Sequence, residues 1–151
     1  MSSFSIRRMS AEDWKFVKEL VRLIEAEGGL GAHFHWPQDL LDAELRSSFG
    51  FGIFQESELC GFILYRDMLD VWDISVVASH PARRRQGLME KLFGALVAAK
   101  GRGRALVLEV HEENEPAQKL YEKLGFREVR RRPRYYGDGG TAIVYILSAE
   151  A

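Results

Sequence analysis

Three adjacent arginines and a glycine lie where the hydropathy pattern changes from strand-like to helix-like. The segment Val76–Met89 passes from a predicted strand through Arg83, Arg84 and Arg85 to Gly87 at a predicted helix start. Backbone N–H groups at such a start, together with the helix dipole, favour an anion, and glycine lets a phosphate approach the chain closely. The pattern predicts a cradle for a pyrophosphate group. A solvated, arginine-rich turn before a surface helix is the alternative.

A second pattern follows the apolar segment 105–110. It reads N-x-x-A-x-x-x-Y-x-x-x-G-F and consists of Asn114, Ala117, Tyr121, Gly125 and Phe126. Five specified positions at this spacing occur by chance in well under about one chain in a thousand. Asn114 can cap a helix, and Ala117 lies one turn before Tyr121, so the small residue leaves space beside the phenol. The pattern therefore predicts a capped helix that carries a tyrosine.

Hydropathy periodicity predicts the elements that must position these two segments. Strands are predicted at 3–8, 50–55, 59–69, 71–78, 105–110, 126–129 and 141–147, and helices at about 10–27, 37–47, 88–97 and 114–124. On the strand 71–78, Trp72, Ile74 and Val76 are predicted to share one face. The order β-α-α-β-β-β-α-β-α-β-β predicts an α/β (mixed α+β) fold with a single mixed, largely antiparallel sheet of about seven strands and helices on both faces.

Composition excludes several classes of protein. The chain has 151 residues, of which 46% are hydrophobic and 28% are charged. This balance is typical of a folded domain rather than of a disordered chain, and the length predicts one domain over 1–151. Lys and Arg number 21 and Asp and Glu 22, so the net charge is −1. A charge this low disfavours direct, salt-driven binding to nucleic acid.

Other signals concern the compartment and metals. No apolar run approaches the ~18 residues of a membrane span, and the N-terminal residues lack the apolar core of a signal peptide. Cys60 is the single cysteine, so an intramolecular disulfide is impossible. These features predict a cytoplasmic protein without membrane contact. The four histidines show no metal-ligand spacing, and no metal is expected.

At the two motifs the sequence resembles the GNAT family of acyl-CoA-dependent N-acetyltransferases. The loop resembles the family motif R-x-x-G-x-[G/A] through Arg84–Gly87, and the helix resembles the family's N…A…Y…GF segment. The resemblance covers residues 70–147 well. Within the family the sequence is similar to the bacterial ribosomal-protein-alanine type, on Leu108-Glu109-Val110, Tyr121 and Arg132-x-x-Tyr135-Tyr136. It implies a GNAT-like fold and acetyl-CoA as cosubstrate, with no metal.

The resemblance also implies which residues would hold acetyl-CoA. Family members bind the pantetheine along the backbone of the strand before the loop, and the pyrophosphate on the loop and helix start. The implied cofactor-binding residues are Val77, Ala78, Ser79, Arg84, Arg85, Gln86, Gly87, Leu88, Met89 and Asn114. Met89 and Ser79 differ from the small and the aliphatic residue that the family usually has at these positions.

Two catalytic residues are implied as well. Glu109 is the candidate base that takes a proton from the amine, directly or through water, with His111 on the same strand face as its rival. Tyr121 is the candidate acid that protonates the leaving thiolate. An α-amine is about one-third neutral at pH 7.5, whereas a lysine side chain is about 0.1% neutral. A protein N-terminus therefore demands less of the base than a lysine does.

Aromatic residues in two segments are the candidates for contact with the acceptor. Phe34 and Trp36 lie in a loop before the second helix, and Tyr135 and Tyr136 lie before the last strand. Packing at the edge of the core is the alternative role for them. The five arginines between Arg127 and Arg134 are interpreted as a solvated face, with contact to an acidic substrate or to ribosomal RNA as the alternative.

Three functions are weighed. The first is acetyl-CoA-dependent acetylation of a protein N-terminal α-amine by direct attack in a ternary complex. The second keeps this chemistry but uses a small amine, such as a polyamine, an amino acid or a drug. The third is a non-catalytic CoA-binding sensor module, for which Met89 is the best support. The expected state is a monomer or a homodimer.

Overall fold

The computed structural model describes residues 3–27 and 36–151. The strands are β1 (Phe4–Arg8), β2 (Phe49–Gln55), β3 (Glu58–Asp67), β4 (Val71–Ser79), β5 (Ala105–His111), β6 (Arg127–Arg132) and β7 (Ala142–Leu147). The helices are α1 (Trp14–Glu27), α2 (Gln38–Ser47), α3 (Leu88–Lys100) and α4 (Glu115–Lys123). None of the helices in these two ranges is long and apolar enough to cross a membrane.

The seven strands form one sheet in the order β1-β2-β3-β4-β5-β7-β6. Every neighbouring pair is antiparallel except β4 and β5, which run parallel. Helix α3 connects these two parallel strands, as a crossover must. The predicted fold class, a mixed and largely antiparallel sheet, is confirmed.

Helices cover both faces of the sheet, as predicted. On one face the buried residues of α3, among them Leu92 and Phe93, form a core with Tyr121 of α4. On the other face the buried residues of α1 and α2, such as Val17 and Leu41, pack on β2 to β4. Burial of these apolar side chains removes them from water and is the main driving force that holds helices to sheet.

Helix α4 begins and ends where the sequence predicts. The side-chain oxygen of Asn114 accepts a hydrogen bond from the Ala117 backbone N–H at 3.2 Å, which satisfies one of the free donors of the first turn. Gly125 follows the helix with φ 99°, a left-handed conformation that other residues rarely adopt. These two residues fix the length of α4 and hence the position of Tyr121.

A β-bulge at Ser75 interrupts β4. Val76 pairs with Leu64 of β3 and Ile74 pairs with Tyr65, so Ser75 is the extra residue. The bulge shifts the alternation of side chains by one position. Trp72 and Ile74 therefore join the core on the α3 face, whereas Val76 joins the core on the α1 face. The prediction that these three residues share one face is wrong, because periodicity does not reveal a bulge.

Strands β4 and β5 diverge soon after they meet. They pair only between Val71–Asp73 and Ala105–Val107. From Ile74 to Ser79, β4 has no strand partner on its β5 side within the described residues, although its pairing with β3 continues to Ser79. The divergence opens a gap in the middle of the sheet, directly beyond the bulge.

Candidate active site

A cavity of about 480 Å³ lies where β4 and β5 separate. Seven of the predicted site residues line it: Trp36, Val77, Glu109, Asn114, Tyr121, Tyr135 and Tyr136. The other predicted cofactor residues lie at the end of β4, in the loop that follows it and at the start of α3, outside this cavity. Phe34 lies outside the described residues. The cavity thus brings together the two candidate catalytic residues and three of the four predicted acceptor contacts.

Glu109 projects from β5 into this cavity. Its Oε1 lies 3.9 Å from Nη1 of Arg132 on β6. Its Oε2 is buried and has no hydrogen-bond partner within the described residues. A buried carboxylate oxygen without a partner is costly, and such an atom in a cavity wall is suited to receive a donor from a bound molecule. The strand alternation predicted for Glu109 agrees with its position.

His111, the rival base, is held by other groups. Its Nδ1 accepts a hydrogen bond from the Glu113 backbone N–H at 3.1 Å, and its Nε2 lies 2.9 Å from Oδ2 of Asp138. With Nδ1 acting as an acceptor, the proton of the neutral ring is on Nε2 and is donated to Asp138. Neither ring nitrogen is then available to take a proton from a substrate. The geometry favours Glu109 over His111 as the base.

Tyr121 is 5% exposed and lines the cavity from α4. Its ring packs edge-on against Phe93 at 5.8 Å between centroids and also contacts Phe126. Burial, and secondarily the nearby Tyr136, raises the pKa of the Tyr121 phenol far above its ordinary value. The phenol therefore keeps its proton throughout the physiological range and can donate it.

The two tyrosines of the β6–β7 loop lie close to Glu109. Burial and then the charge of Glu109 raise the pKa of Tyr135, and the same two causes raise the pKa of Tyr136 to about 12. Tyr135 is half exposed and stands edge-on to Tyr136, with 5.1 Å between the ring centroids. Both phenols are neutral hydrogen-bonding groups in the cavity wall.

Four polar residues of the cavity were not predicted, one of which is Arg66 of β3. Asp73 and Ser75 project from β4, and Glu44 projects from α2. Burial and the charge of Glu109 raise the pKa of Asp73. Ser75 has a buried hydroxyl at the cavity wall, where it helps to lower the pKa of Glu44. Its exposure to the cavity follows from the bulge, for which the sequence carries no signal.

Glu44 could have been found from the sequence. It is 5% exposed and lies on the apolar face of α2, three residues after Leu41. Burial alone raises its pKa, but hydrogen bonds from Arg66 and Ser48 outweigh burial and lower it. Arg66 donates to both carboxylate oxygens, a fork geometry that orients both groups at the cavity wall. An acidic residue on a buried helix face is the signal that was missed.

The predicted anion cradle has open backbone geometry. Gly87 has φ 71°, and no atom of residues 3–27 and 36–151 lies within 4 Å of the position that a Cβ would occupy there. It directly precedes α3, whose first N–H groups have no partner within the helix. Free space, a left-handed glycine and unpaired N–H groups together fit a phosphate. The predicted cradle therefore has the geometry that its chemistry requires.

The three arginines of the loop are not equivalent. Arg83 forms an ion pair with Glu58 at 2.9 Å, and Arg84 forms one with Glu27 at 2.7 Å. Arg85 is exposed, and no carboxylate of the described residues pairs with it. Arg85 is therefore the guanidinium most readily available to an anion, since Arg84 must first leave Glu27.

Comparison with known proteins identifies the family. The model of the acetyltransferase (GNAT) family matches residues 12–126, which is most of the chain. The chain therefore belongs to the GNAT family. Within 3–27 and 36–151, no three His, Cys, Asp or Glu side chains are grouped so that they could hold a metal ion.

Several relatives carry more specific names. The chain is 34% identical over 84 residues to the ribosomal protein bS18-alanine N-acetyltransferase of Haemophilus ducreyi, covering 54% of this chain and 58% of that protein. It is 42% identical over 76 residues to N-alpha-acetyltransferase 30 of Schizosaccharomyces pombe, covering 49% and 51%. The chain spans from a third to about three-fifths of the length of the curated relatives it matches.

A solved structure resembles this chain along almost its whole length. The ribosomal-protein-S18-alanine N-acetyltransferase from Escherichia coli superposes with a TM-score of 0.85 at 26% sequence identity. The superposition covers 99% of this chain and 96% of that chain. The similarity to this type of acetyltransferase, noted from the motifs, is confirmed.

Proposed function

We propose that this protein transfers the acetyl group of acetyl-CoA to the α-amine of a protein N-terminus. The observation that carries the proposal is that Glu109 and Tyr121 line one cavity, which opens where β4 loses its partner strand. The names of the relatives, which act on ribosomal protein bS18 alanine or as an N-alpha-acetyltransferase, support an α-amine as acceptor.

The exposed edge of β4 fits the cosubstrate. A pantetheine chain carries amide groups, and the backbone of Val77, Ala78 and Ser79 presents amide partners with no strand opposite. The left-handed Gly87 and the N–H groups that follow it, in Leu88 and Met89, suit the pyrophosphate, with the exposed Arg85 as a cation of the same loop. When bound, acetyl-CoA supplies the acetyl group as a thioester.

Glu109 removes the proton that the acceptor must lose. The amine attacks with its lone pair, so an N–C bond forms, the C–S bond breaks, and the nitrogen gives up one proton. The unpaired Oε2 of Glu109 is the acceptor available in the cavity. The proton passes to it directly or through one water molecule. Because an α-amine has a pKa of about 7.8, one carboxylate suffices as base near neutral pH.

Tyr121 supplies the proton that the leaving sulfur needs. The sulfur leaves with the electron pair of the C–S bond and needs a proton to become a thiol. Because burial raises its pKa, the Tyr121 phenol is protonated at neutral pH and carries a proton that it can give to the thiolate. No covalent enzyme intermediate is required, and attack takes place with both substrates bound.

Trp36, Tyr135 and Tyr136 surround the acceptor end of the cavity. Trp36 and Tyr136 are partly buried, and Tyr135 is exposed at the rim. An open cleft with an aromatic rim fits an extended N-terminal segment, whose backbone groups can bond to the neutral phenols. A small amine as acceptor would leave the aromatic rim without a contact. The test must therefore distinguish small amines from peptide N-termini.

Mass spectrometry of a mixed amine library tests the proposal. The library contains peptides with free α-amines, the same peptides with blocked α-amines and internal lysines, and polyamines, amino acids and aminoglycosides. We expect acetylation of the free α-amines, dependent on acetyl-CoA. Turnover of small amines alone, or of internal lysines alone, contradicts the proposed acceptor, and tight acetyl-CoA binding without transfer to any amine contradicts catalysis.

A further inference from the structure

The loop between β6 and β7 delivers Tyr135 and Tyr136 to the cavity but carries little that could hold it. Its residues Gly137, Gly139 and Gly140 have no side chains, so Asp138 has the only side chain between Tyr136 and Thr141. The backbone N–H groups of Tyr135 and Tyr136 both donate to the carbonyl of Gly140, at 3.1 and 3.2 Å. The loop is therefore a closed turn, and Asp138 is the residue of its glycine-rich part that can link it to the rest of the molecule through a side chain.

Asp138 reaches from this turn to the end of β5. Its Oδ1 and Oδ2 lie 3.2 and 2.9 Å from Nε2 of His111, although Asp138 itself is 44% exposed in its side chain. Oδ1 also accepts a hydrogen bond from the Gly140 N–H at 2.7 Å. One carboxylate thus closes the turn and fastens it to a buried histidine 27 residues earlier in the chain.

His111 is itself rigidly placed. Its side chain is 4% exposed, its Nδ1 is bonded to the Glu113 N–H, and its carbonyl accepts from the Asn114 N–H that precedes α4. Its ring stacks on the Tyr136 ring with 4.8 Å between centroids. The backbone of the turn comes so close that a Cβ on Gly140 would lie 2.2 Å from His111 Nε2. The contact therefore depends on a glycine at position 140.

We propose that His111 and Asp138 are positioning residues that hold Tyr135 and Tyr136 against the acceptor end of the cavity, beside Glu109. This inference rests on the proposed function, because it assigns the two tyrosines to the acceptor. The pair touches neither reacting group. It fixes the loop that carries the two tyrosines, and it does so from the strand that also carries Glu109.

Substitution of Asp138 tests the pair. Asp138→Ala removes the link to His111 and the bond to Gly140. We expect the KM for the acceptor peptide to rise by about tenfold, the KM for acetyl-CoA to stay within about twofold, and kcat at saturating peptide to fall less than kcat/KM. Asp138→Asn keeps an oxygen that can accept from Nε2–H and from Gly140, so we expect it to stay within about threefold of wild type.

Asp67→Ala is the matched control. Asp67 also accepts a backbone N–H two residues later, from Leu69 at 3.0 Å, in a turn that lies outside the cavity lining. Its substitution removes the same kind of turn bond without touching the tyrosine loop. An unchanged peptide KM in Asp138→Ala overturns the proposal. So does an equal rise in the KM for acetyl-CoA, or the same rise in peptide KM in Asp67→Ala.

A spectroscopic measurement separates failure of this inference from failure of the proposed function. Without any substrate, the ring signals of Tyr135 and Tyr136 in NMR spectra are expected to shift in Asp138→Ala, while those of Tyr145, outside the loop, do not. Unmoved ring signals overturn the pair even if the enzyme acetylates peptides. If wild type acetylates only small amines, the proposed acceptor is wrong, and the same KM comparison is made with that amine.

Discussion

The two ends of the cavity are built from different parts of the polypeptide. The end that leads to Gly87 consists of backbone: the unpaired edge of β4, a left-handed glycine and the first N–H groups of α3. The acceptor end consists of side chains from β4, β5, α2 and the β6–β7 loop. A backbone site tolerates changes of side chain, whereas a side-chain site depends on each residue and on its supports.

This difference means that the backbone end serves the cosubstrate and the side-chain end serves the choice of acceptor. Every acetyl-CoA-dependent enzyme of this fold must bind one cosubstrate, and a backbone cradle does this whatever the neighbouring side chains are. The acceptor varies, and the side-chain end is where Asp73, Glu44 and the tyrosine loop can vary with it. Substitutions at the two ends should therefore affect different kinetic constants.

The largest effect is expected at Glu109. Glu109→Gln removes the base while keeping the shape, so kcat should fall by about 10²- to 10⁴-fold at pH 7. Above pH 8 a growing share of the α-amine is already neutral, so the deficit should shrink as pH rises. A pH–rate profile measures this. The control is Glu112→Gln, an exposed glutamate just beyond β5. A Glu109→Gln rate within threefold of wild type at pH 7 would falsify the base assignment.

A smaller loss of kcat is expected for Tyr121→Phe. The phenylalanine ring keeps the contacts with Phe93 and Phe126, so the melting temperature should stay close to that of wild type. Loss of the proton donor should lower kcat by about a hundredfold without changing the acetyl-CoA KM. Tyr145→Phe is the matched control, since Tyr145 is also buried but its hydroxyl donates to Glu122 outside the cavity. Equal kcat values in the two variants count against Tyr121 as the acid.

At the backbone end we expect a change in cosubstrate binding alone. Gly87→Ala meets no steric clash, but alanine at φ 71° costs about 1–2 kcal/mol, which corresponds to an increase of about 5- to 30-fold in the KM for acetyl-CoA. The peptide KM should not change. Gly94→Ala, inside α3 and equally free of neighbouring atoms, should leave both constants unchanged and slightly stabilise the helix. A rise in peptide KM for Gly87→Ala would show that the two ends are coupled.

The smallest effect concerns stability in alkali. Burial raises the folded-state pKa of Tyr121, so the proton stays on in the folded state after it leaves the unfolded chain. The stabilisation from this group is complete below about pH 10 and decreases as pH rises above that value, because only the unfolded state ionises. Urea unfolding at pH 8 and at pH 11 should show a smaller loss for Tyr121→Phe than for wild type. Equal losses contradict the burial of the phenol.

Local patterns explain why so much of the fold could be predicted. The order of strands and helices follows from hydropathy period, and the caps at Asn114 and Gly125 follow from residue type. The bulge at Ser75 could not be predicted, because it arises from the pairing of β4 with β3 and not from either strand alone. That single extra residue moves Val76 to the opposite face and exposes Ser75 to the cavity.

The candidate site also contains residues that the sequence could predict and contacts that it could not. Glu109 and Tyr121 stand on regular elements within motifs, so their type and spacing were enough to single them out. The link between His111 and Asp138 joins residues far apart in the chain and depends on the shape of a glycine-rich turn. The sequence predicts His111 only as a rival base, and its hydrogen bonds to Glu113 and Asp138 argue against that role.

The short pairing of β4 with β5 links the stability of the whole sheet to ligand binding. Four strands lie on one side of this junction and three on the other, and only three residue pairs join them. A molecule lodged between the diverging strands touches both halves, so its affinity adds to the resistance of the whole sheet to unfolding. At a ligand concentration of a hundred times Kd, this addition is about 2.7 kcal/mol. The protein is then more stable against unfolding when saturated with ligand than when it is purified without ligand.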